Sequence, residues 1–285
     1  MRTVNSPPPR VSVVGTGAIG SAVVRRLLAS AHEVAVWNRT PGRAAELGAS
    51  PQRSVGDAVA HGTLVFLALT DYAAVRQCLA EIDSGQSGTT IVGLYTGTAE
   101  EARLTARRVH ELGARYLDAG IQASPEMIDA GTATILYSGS RDGFEQHQPT
   151  LALLGRPRLV GEAPEAAAVW DLALFGVWYD AQLGLLRALE AARGTDIDVA
   201  EFAETAATQL GHVVASAGAT AAEVRQASYP RGPADLTEHL TVIRHLIDLR
   251  SGHRLGDGGL PSVAARIESL IADGRGGEGL TATLD

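Results

Sequence analysis

Three glycines, Gly15, Gly17 and Gly20, follow the apolar run Val11-Ser12-Val13-Val14. A stretch with helical spacing opens on them, its apolar positions at Ala22, Val23, Leu27 and Leu28. A second apolar run, Val34-Ala35-Val36-Trp37, closes a block of about 27 residues, the size of one βαβ unit. In that context the glycine spacing is a dinucleotide-binding signature. Gly15 permits the tight turn, Gly17 lets the backbone approach a pyrophosphate, and Gly20 lets helix and strand pack closely. Ala18 and Ile19 begin the helix, whose free amides and positive dipole end suit phosphates. The second strand ends in Asn38-Arg39-Thr40, with Arg43 close behind, where an NAD enzyme usually carries Asp or Glu. Two guanidiniums and a hydroxyl attract a 2′-phosphate that a carboxylate would repel. NADPH is therefore the expected cofactor, and Leu69, which ends the third apolar run, and Thr70 after it are assigned to the same site.

A candidate acid lies far along the chain. Asp171 stands between Trp170 and Leu172, in a segment that is apolar on nearly every face. A carboxylate there must be paired, protonated or working. Burial raises its pKa and would suit a proton donor near neutral pH. Tyr179 is eight residues further, a rise of about 12 Å on a helix and a rotation of about 80° beyond two turns. The two side chains can flank one cleft without touching. On pattern alone, a hydrogen-bonded structural Asp and a core Tyr are equally open readings.

The other reactive residue types are sparse. The eight histidines show no HxxxH or HExxH spacing, so no metal site is expected. The single cysteine, Cys78, excludes an internal disulfide and reads as a core residue. All 24 basic side chains are arginine. A chain without lysine cannot form a lysine Schiff base, anchor pyridoxal phosphate or build a P-loop, and arginine does not titrate in its place. Gly274-Arg275-Gly276-Gly277-Glu278-Gly279 reads as a flexible or substrate-edge turn.

The chain must position these residues with 285 amino acids, 45% of them hydrophobic and 20% charged. That length suits about two domains. The net charge of −8 and the lack of a basic patch argue against nucleic acid. No uncharged apolar run of 18 residues argues for a membrane span. The polar, proline-rich start, residues 1–10, lacks the apolar stretch of a signal peptide, and a cytoplasmic protein is expected.

Strand patterns at 64–69, 89–94, 116–118 and 134–137 alternate with helix patterns at 43–47, 54–61, 71–81 and 99–112. The alternation predicts a mostly parallel sheet covered on both faces, an α/β Rossmann domain over residues 1–161. Residues 164–193 predict one long interdomain helix, assigned to 162–194. Being apolar all round, it must be covered by two domains or two subunits. Helix patterns at 199–217, 221–227, 235–250 and 262–273 make residues 195–285 an all-α domain for substrate binding and dimerisation.

Over about residues 11–280 the chain resembles the imine reductases, in their reductive aminase branch. The carriers are VVGTGAIGSAVVRRLL, VAVWNRT, IVGLYTGTAEEAR, ARYLDAGI, ATILYSGS, WDLALFGVWY and DGRGGEGL. The resemblance implies NADPH dependence, a Rossmann domain, a long interdomain helix and a reciprocally swapped homodimer. It places Asp171 on the family's catalytic acid and Tyr179 on the tyrosine that reductive aminases pair with it. Thr96 falls on a third polar position, often Asn or Ser. Gly93 and Tyr95 depart from the family pattern, as do residues 128–131 and 224–229. The related β-hydroxyacid dehydrogenases need a lysine where this chain has Asp171.

The expected function is NADPH-dependent reduction of imines or iminium ions, with reductive amination a possible extension. Asp171 would be the proton donor or iminium anchor. The substrate would be a small hydrophobic imine, or an amine with a carbonyl compound. A reductase of carbonyl or other acceptors on the same scaffold, and a non-catalytic NADP-binding sensor, are the alternatives.

Overall fold

The computed structural model describes residues 9–40 and 42–285. Most of the proline-rich start, residues 1–8, lies outside them, as does Pro41. The chain divides into two units, the first ending at Phe175 and the second spanning Gly176–Asp285.

The first unit alternates strand and helix. Its elements are β1 (Val11–Val14), α1 (Ala18–Ala29), β2 (Val34–Trp37), α2 (Arg43–Glu46), β3 (Ser50–Pro51), α3 (Val55–His61), β4 (Leu64–Leu67), α4 (Tyr72–Ala80), β5 (Thr90–Leu94) and α5 (Ala99–Glu111). Then come β6 (Arg115–Gln122), α6 (Pro125–Ala130), β7 (Ala133–Gly139), α7 (Arg141–Leu154) and β8 (Gly155–Gly161). The eight strands form one sheet in the order β3-β2-β1-β4-β5-β6-β7-β8. Every pairing is parallel except β6 with β7. The chain runs outward from β1 to β3 and then crosses back to β4 beside β1. That reversal leaves a crevice at the carboxyl ends of β1 and β4, where open α/β sheets bind ligands.

The sheet is apolar on both faces because helices cover both. One core gathers Val11, Val13, Phe66 and Val92 under α1 and α7; the other gathers Val14, Val65, Leu67 and Ile91 under α3, α4 and α5. Buried strands of this kind read as continuous apolar runs.

Five elements depart from the sequence expectation. β6 runs to Gln122 rather than stopping at Asp118, because it is held from both sides, by β5 over Arg115 to Ala119 and by β7 over Leu117 to Gln122. α7 forms despite Pro149 in its interior, burying Phe144, His147, Leu151 and Leu154 at helical spacing. β8 is an edge strand, where the missing amide of Pro157 breaks no ladder. α6 and β3 are too short to leave a pattern.

α8 (Ala166–Ala192) is a single helix of 27 residues. The division between units falls inside it, after Phe175. The second unit adds α9 (Val199–Gln226), α10 (Leu236–Leu249) and α11 (Leu260–Ala272). α9 is one helix where the sequence suggests two. It starts at Asp198, whose carboxylate accepts from the amides of Ala200 and Glu201 at 2.8 and 3.1 Å. α10 and α11 share a small core of Leu236, Leu240, Ile243, Ile267 and Leu270. Among the described residues no helix is long and apolar enough to cross a membrane.

Candidate active site

The glycine turn is built as a cradle. Gly15 has φ +100°, and a Cβ there would stand 2.2 Å from the carbonyl oxygen of Ala68. A Cβ on Gly20 would stand 2.1 Å from the Gly15 carbonyl oxygen, so any side chain at either place would push β1, β4 and α1 apart. Gly17 faces open space. It begins α1 without a side-chain cap, which leaves the first-turn amides of Ala18 and Ile19 free for an anion.

The end of β2 pins this turn. The Gly15 amide donates to the Trp37 carbonyl at 2.8 Å, and the Thr16 amide donates to Asn38 Oδ1 at 3.1 Å. Asn38 therefore fixes the loop. A cavity of about 470 Å³ opens here, lined by Gly15 to Gly20, Trp37, Asn38, Arg39, Leu69, Thr70 and Cys78 among others. Cys78 is buried in the second core and also reaches this wall; burial pushes its thiol up to about 11. Arg39 borders the cavity, and its guanidinium is available to a phosphate. Arg43 donates to the Thr16 carbonyl at 3.3 Å, so it braces the turn, and neither Arg43 nor Thr40 lines the cavity.

A second cavity of about 320 Å³ shares Ile19, Leu69, Thr70 and Leu94 with the first. Its further wall is Tyr95, Thr96, Ala119, Ile121 and Ala123. Thr96 links that wall to the acid, since its hydroxyl donates to Asp171 Oδ2 at 3.2 Å. Gln122 Nε2 donates to the other carboxyl oxygen, Oδ1, at 2.5 Å. Asp171 is 2% exposed. Burial pushes its carboxyl above the ordinary range, and the two donors pull against that shift without cancelling it.

β6 sets this geometry. Alternate residues of a strand share a face, so Tyr116, Asp118, Gly120 and Gln122 point the same way. A Cβ on Gly120 would lie 2.8 Å from the Asp171 Cβ, which means the absent side chain makes the room that Asp171 occupies. Gln122 then reaches around the carboxyl. Next along the face, Tyr116 donates to Asp118 Oδ1 at 2.8 Å, and Tyr95 and Tyr116 share a hydroxyl–hydroxyl bond of 2.9 Å. Asp118 is 2% exposed, and burial pushes it up to about 7. Gln122, Gly120 and Asp118 escaped the sequence reading. Their signal was the polar-small alternation of Tyr-Leu-Asp-Ala-Gly-Ile-Gln, which shows only once the strand is extended past Asp118.

Tyr179 lies on α8 two turns beyond Asp171, in the second unit, and is 56% exposed. Trp178 packs edge-on beside it, ring centroids 4.9 Å apart. Gly274 to Gly279 form a turn held by its own side chains. Arg275 in it bonds Glu278 and Asp285, each at 2.9 Å, and covers the Tyr229 ring. Among the described residues no group of three or more His, Cys, Asp or Glu could hold a metal ion.

Comparison with known proteins points to one family. Residues 10–163 match the NAD-binding domain of 6-phosphogluconate dehydrogenase, and residues 163–285 match the C-terminal domain of NADPH-dependent reductive aminase-like proteins. An NADPH-dependent reductive aminase of Aspergillus oryzae is 28% identical over 282 residues, covering 96% of each chain. A reductive aminase of Aspergillus terreus, solved with NADPH4, cyclohexanone and allyl amine, is 30% identical with a TM-score of 0.83, over 98% of this chain and 99% of its own. An imine reductase of Aspergillus terreus, solved with NADPH4 and a further ligand, is 29% identical with a TM-score of 0.89, over the same shares. A glycine cradle at the sheet's switch point, a buried acid at the start of the long helix and end-to-end likeness to these proteins lead to one conclusion: the chain belongs to the imine reductase and reductive aminase family.

Proposed function

We propose that this protein is an NADPH-dependent reductase of imines and iminium ions, able to accept an amine with a carbonyl compound as precursors. The observation that carries the reading is Asp171, a buried carboxyl held by Gln122 and by Thr96, which lines the second cavity. NADPH, when bound, supplies the hydride to the C=N carbon. Ala18 and Ile19 offer amides to its pyrophosphate, Arg39 offers a guanidinium to the 2′-phosphate, and Leu69 and Thr70 line the passage toward Thr96.

Asp171 handles the charge at nitrogen. A neutral imine must gain a proton, and burial raises the pKa of the Asp171 carboxyl, which makes it a better match to proton donation than an exposed one. Once the proton has left, the carboxylate is received by two donors already in place, Thr96 Oγ1 and Gln122 Nε2. A substrate that arrives as an iminium instead pairs with that carboxylate. Tyr179 orients the nitrogen in this reading. Trp170, Phe175, Trp178 and Met127 supply apolar surface for a hydrophobic substrate.

We further propose that the protein works as a domain-swapped homodimer in the cytoplasm. α9 buries no residue within the chain, and Val213 and Val214 on it are 67% and 76% exposed. Val177 on α8 is 69% exposed. Long helices with such faces need cover, and a second copy brings the same surfaces.

The test is NADPH oxidation with 2-methyl-1-pyrroline, followed at the nicotinamide absorbance. Asp171→Ala is expected to lose about 100-fold or more in turnover, the scale of general acid catalysis. Turnover within twofold of wild type would refute the role given to Asp171. Turnover of ketones alone, with none on imines, would favour a carbonyl reductase on this scaffold.

A further inference from the structure

The acid and the cavity it serves do not touch. Asp171 is 2% exposed and stands in the wall of neither cavity, whereas Thr96 is exposed and lines the second. Between carboxyl and cavity lies one hydroxyl, Thr96 Oγ1, at 3.2 Å from Asp171 Oδ2. The other side of the carboxyl is closed. Gln122 Nε2 donates to Oδ1 at 2.5 Å, and the Asp171 Cβ rests against Gly120. An amide nitrogen donates and cannot accept, so Oδ1 carries no proton while this bond holds. A protonated Asp171 therefore holds its hydrogen on Oδ2, on the side of Thr96.

Thr96 is fixed from both directions along the chain. Tyr95 before it shares a hydroxyl–hydroxyl bond of 2.9 Å with Tyr116. Gly97 after it lies against the Tyr72 ring with no room for a Cβ. Thr98 then caps α5, accepting from the Glu101 amide at 3.3 Å. The backbone is held, while the hydroxyl hydrogen stays free to turn. A hydroxyl both donates and accepts, which distinguishes it from the Gln122 amide nitrogen on the opposite side.

We propose that Thr96 is a proton relay: the proton of Asp171 reaches the imine nitrogen through the Thr96 hydroxyl rather than directly. The proposal rests on Asp171 being the acid of the reaction. With Oδ2 protonated, Thr96 Oγ1 accepts from it and turns its own hydrogen toward the cavity. The imine nitrogen takes that hydrogen as Oγ1 takes the one from Oδ2. Threonine ends neutral with a single hydrogen, the substrate becomes an iminium and Asp171 becomes a carboxylate. The hydroxyl then donates to Oδ2, which is the bond present in the structure. One proton from solvent, passed back along the same path, restores the acid.

The experiment compares two substrates at a pH where 2-methyl-1-pyrroline is neutral in solution. That imine needs a proton. Its N-methyl iminium, 1,2-dimethyl-1-pyrrolinium, is already cationic and needs none. Thr96→Val keeps the shape of the side chain and removes the hydroxyl. Its loss of kcat on the imine is expected to be about 100-fold, the scale of general acid catalysis, and at least about tenfold greater than its loss on the iminium. Thr96→Ser, which keeps the hydroxyl, is expected to recover most of the imine turnover. A merely structural role would lower both substrates alike. Equal losses on the two substrates in Thr96→Val, or imine turnover close to wild type, would overturn the relay. Asp171→Ala separates the two readings. If it loses the imine selectively while Thr96→Val does not, the acid stands and only the relay falls. If neither variant is selective, the reading of Asp171 as acid falls as well.

Discussion

Gly120 offers a sharp perturbation, because its role is to be empty. In Gly120→Ala the added Cβ would lie 2.8 Å from the Asp171 Cβ and 3.0 Å from its Oδ1. Carbon atoms in contact settle at about 3.5–4.0 Å, so β6 and α8 must separate locally by about 1 Å, or Asp171 must turn away. Overpacking of a methyl group costs about 1–3 kcal/mol. The catalytic effect should be larger than the stability effect. A displacement of about 1 Å costs on the order of 100-fold in rate, and the bonds from Thr96 and Gln122 both end on the carboxyl that moves. The assay is kcat with 2-methyl-1-pyrroline, run beside thermal unfolding and NADPH binding followed by nicotinamide fluorescence. A tenfold or greater loss of kcat is expected with NADPH affinity unchanged, since the glycine cradle is untouched. Near-wild-type kcat at wild-type stability would mean that the position of Asp171 against β6 does not matter, and it would refute the geometry argued for the site.

Three further outcomes are expected. Arg39→Ala should narrow the preference for NADPH over NADH by about 10- to 100-fold, the worth of a hydrogen bond to a charged group, and an unchanged ratio of kcat/KM values would remove Arg39 from the phosphate site. Asp118→Asn should stabilise the protein more at pH 8 than at pH 5. The folded carboxyl titrates at about 7 against an ordinary 3.8, so its contribution is full below about 3.8 and is lost as pH rises through 7. The difference, read from denaturant midpoints, has a ceiling of about 3 kcal/mol over that interval, and a pH-independent difference would contradict the raised value. In the proposed dimer, Val214→Asp in the middle of α9 should give a monomer in sedimentation; a variant that sediments as wild type would refute an interface at that face.

The cofactor half of this molecule was legible in the sequence because its determinants are local. Gly15, Gly17, Gly20 and Asn38 announce themselves by spacing within one βαβ unit, and the turn they form is held by backbone bonds to the adjacent strand. Asp171 was legible for a different reason, as a charge in an apolar helix. Its partners were not. Gln122 and Gly120 matter only because β6 continues beyond Asp118, and that continuation comes from pairing with β5 and β7 rather than from the preferences of Asp, Ala and Gly. α7 was hidden by Pro149, whose local cost is outweighed by the burial of Phe144, Leu151 and Leu154. α9 was divided in expectation around Gly218, which the helix absorbs. For β6 and α7 a contact distant in sequence overrode a local rule.

The two margins of the sheet share a feature with a wider consequence. β3 is two residues long and ends in Pro51, while β8 carries Pro157 between Arg156 and Arg158. A free strand edge is a template that recruits other strands, and proline with flanking charge disables it. Neither border can therefore be lengthened by a neighbouring molecule. Assembly is steered to the helices, where side-chain shape selects the companion, and away from backbone pairing, which accepts almost any extended segment. In concentrated solution the same two borders should protect the chain from edge-to-edge aggregation while leaving its helical faces free to associate.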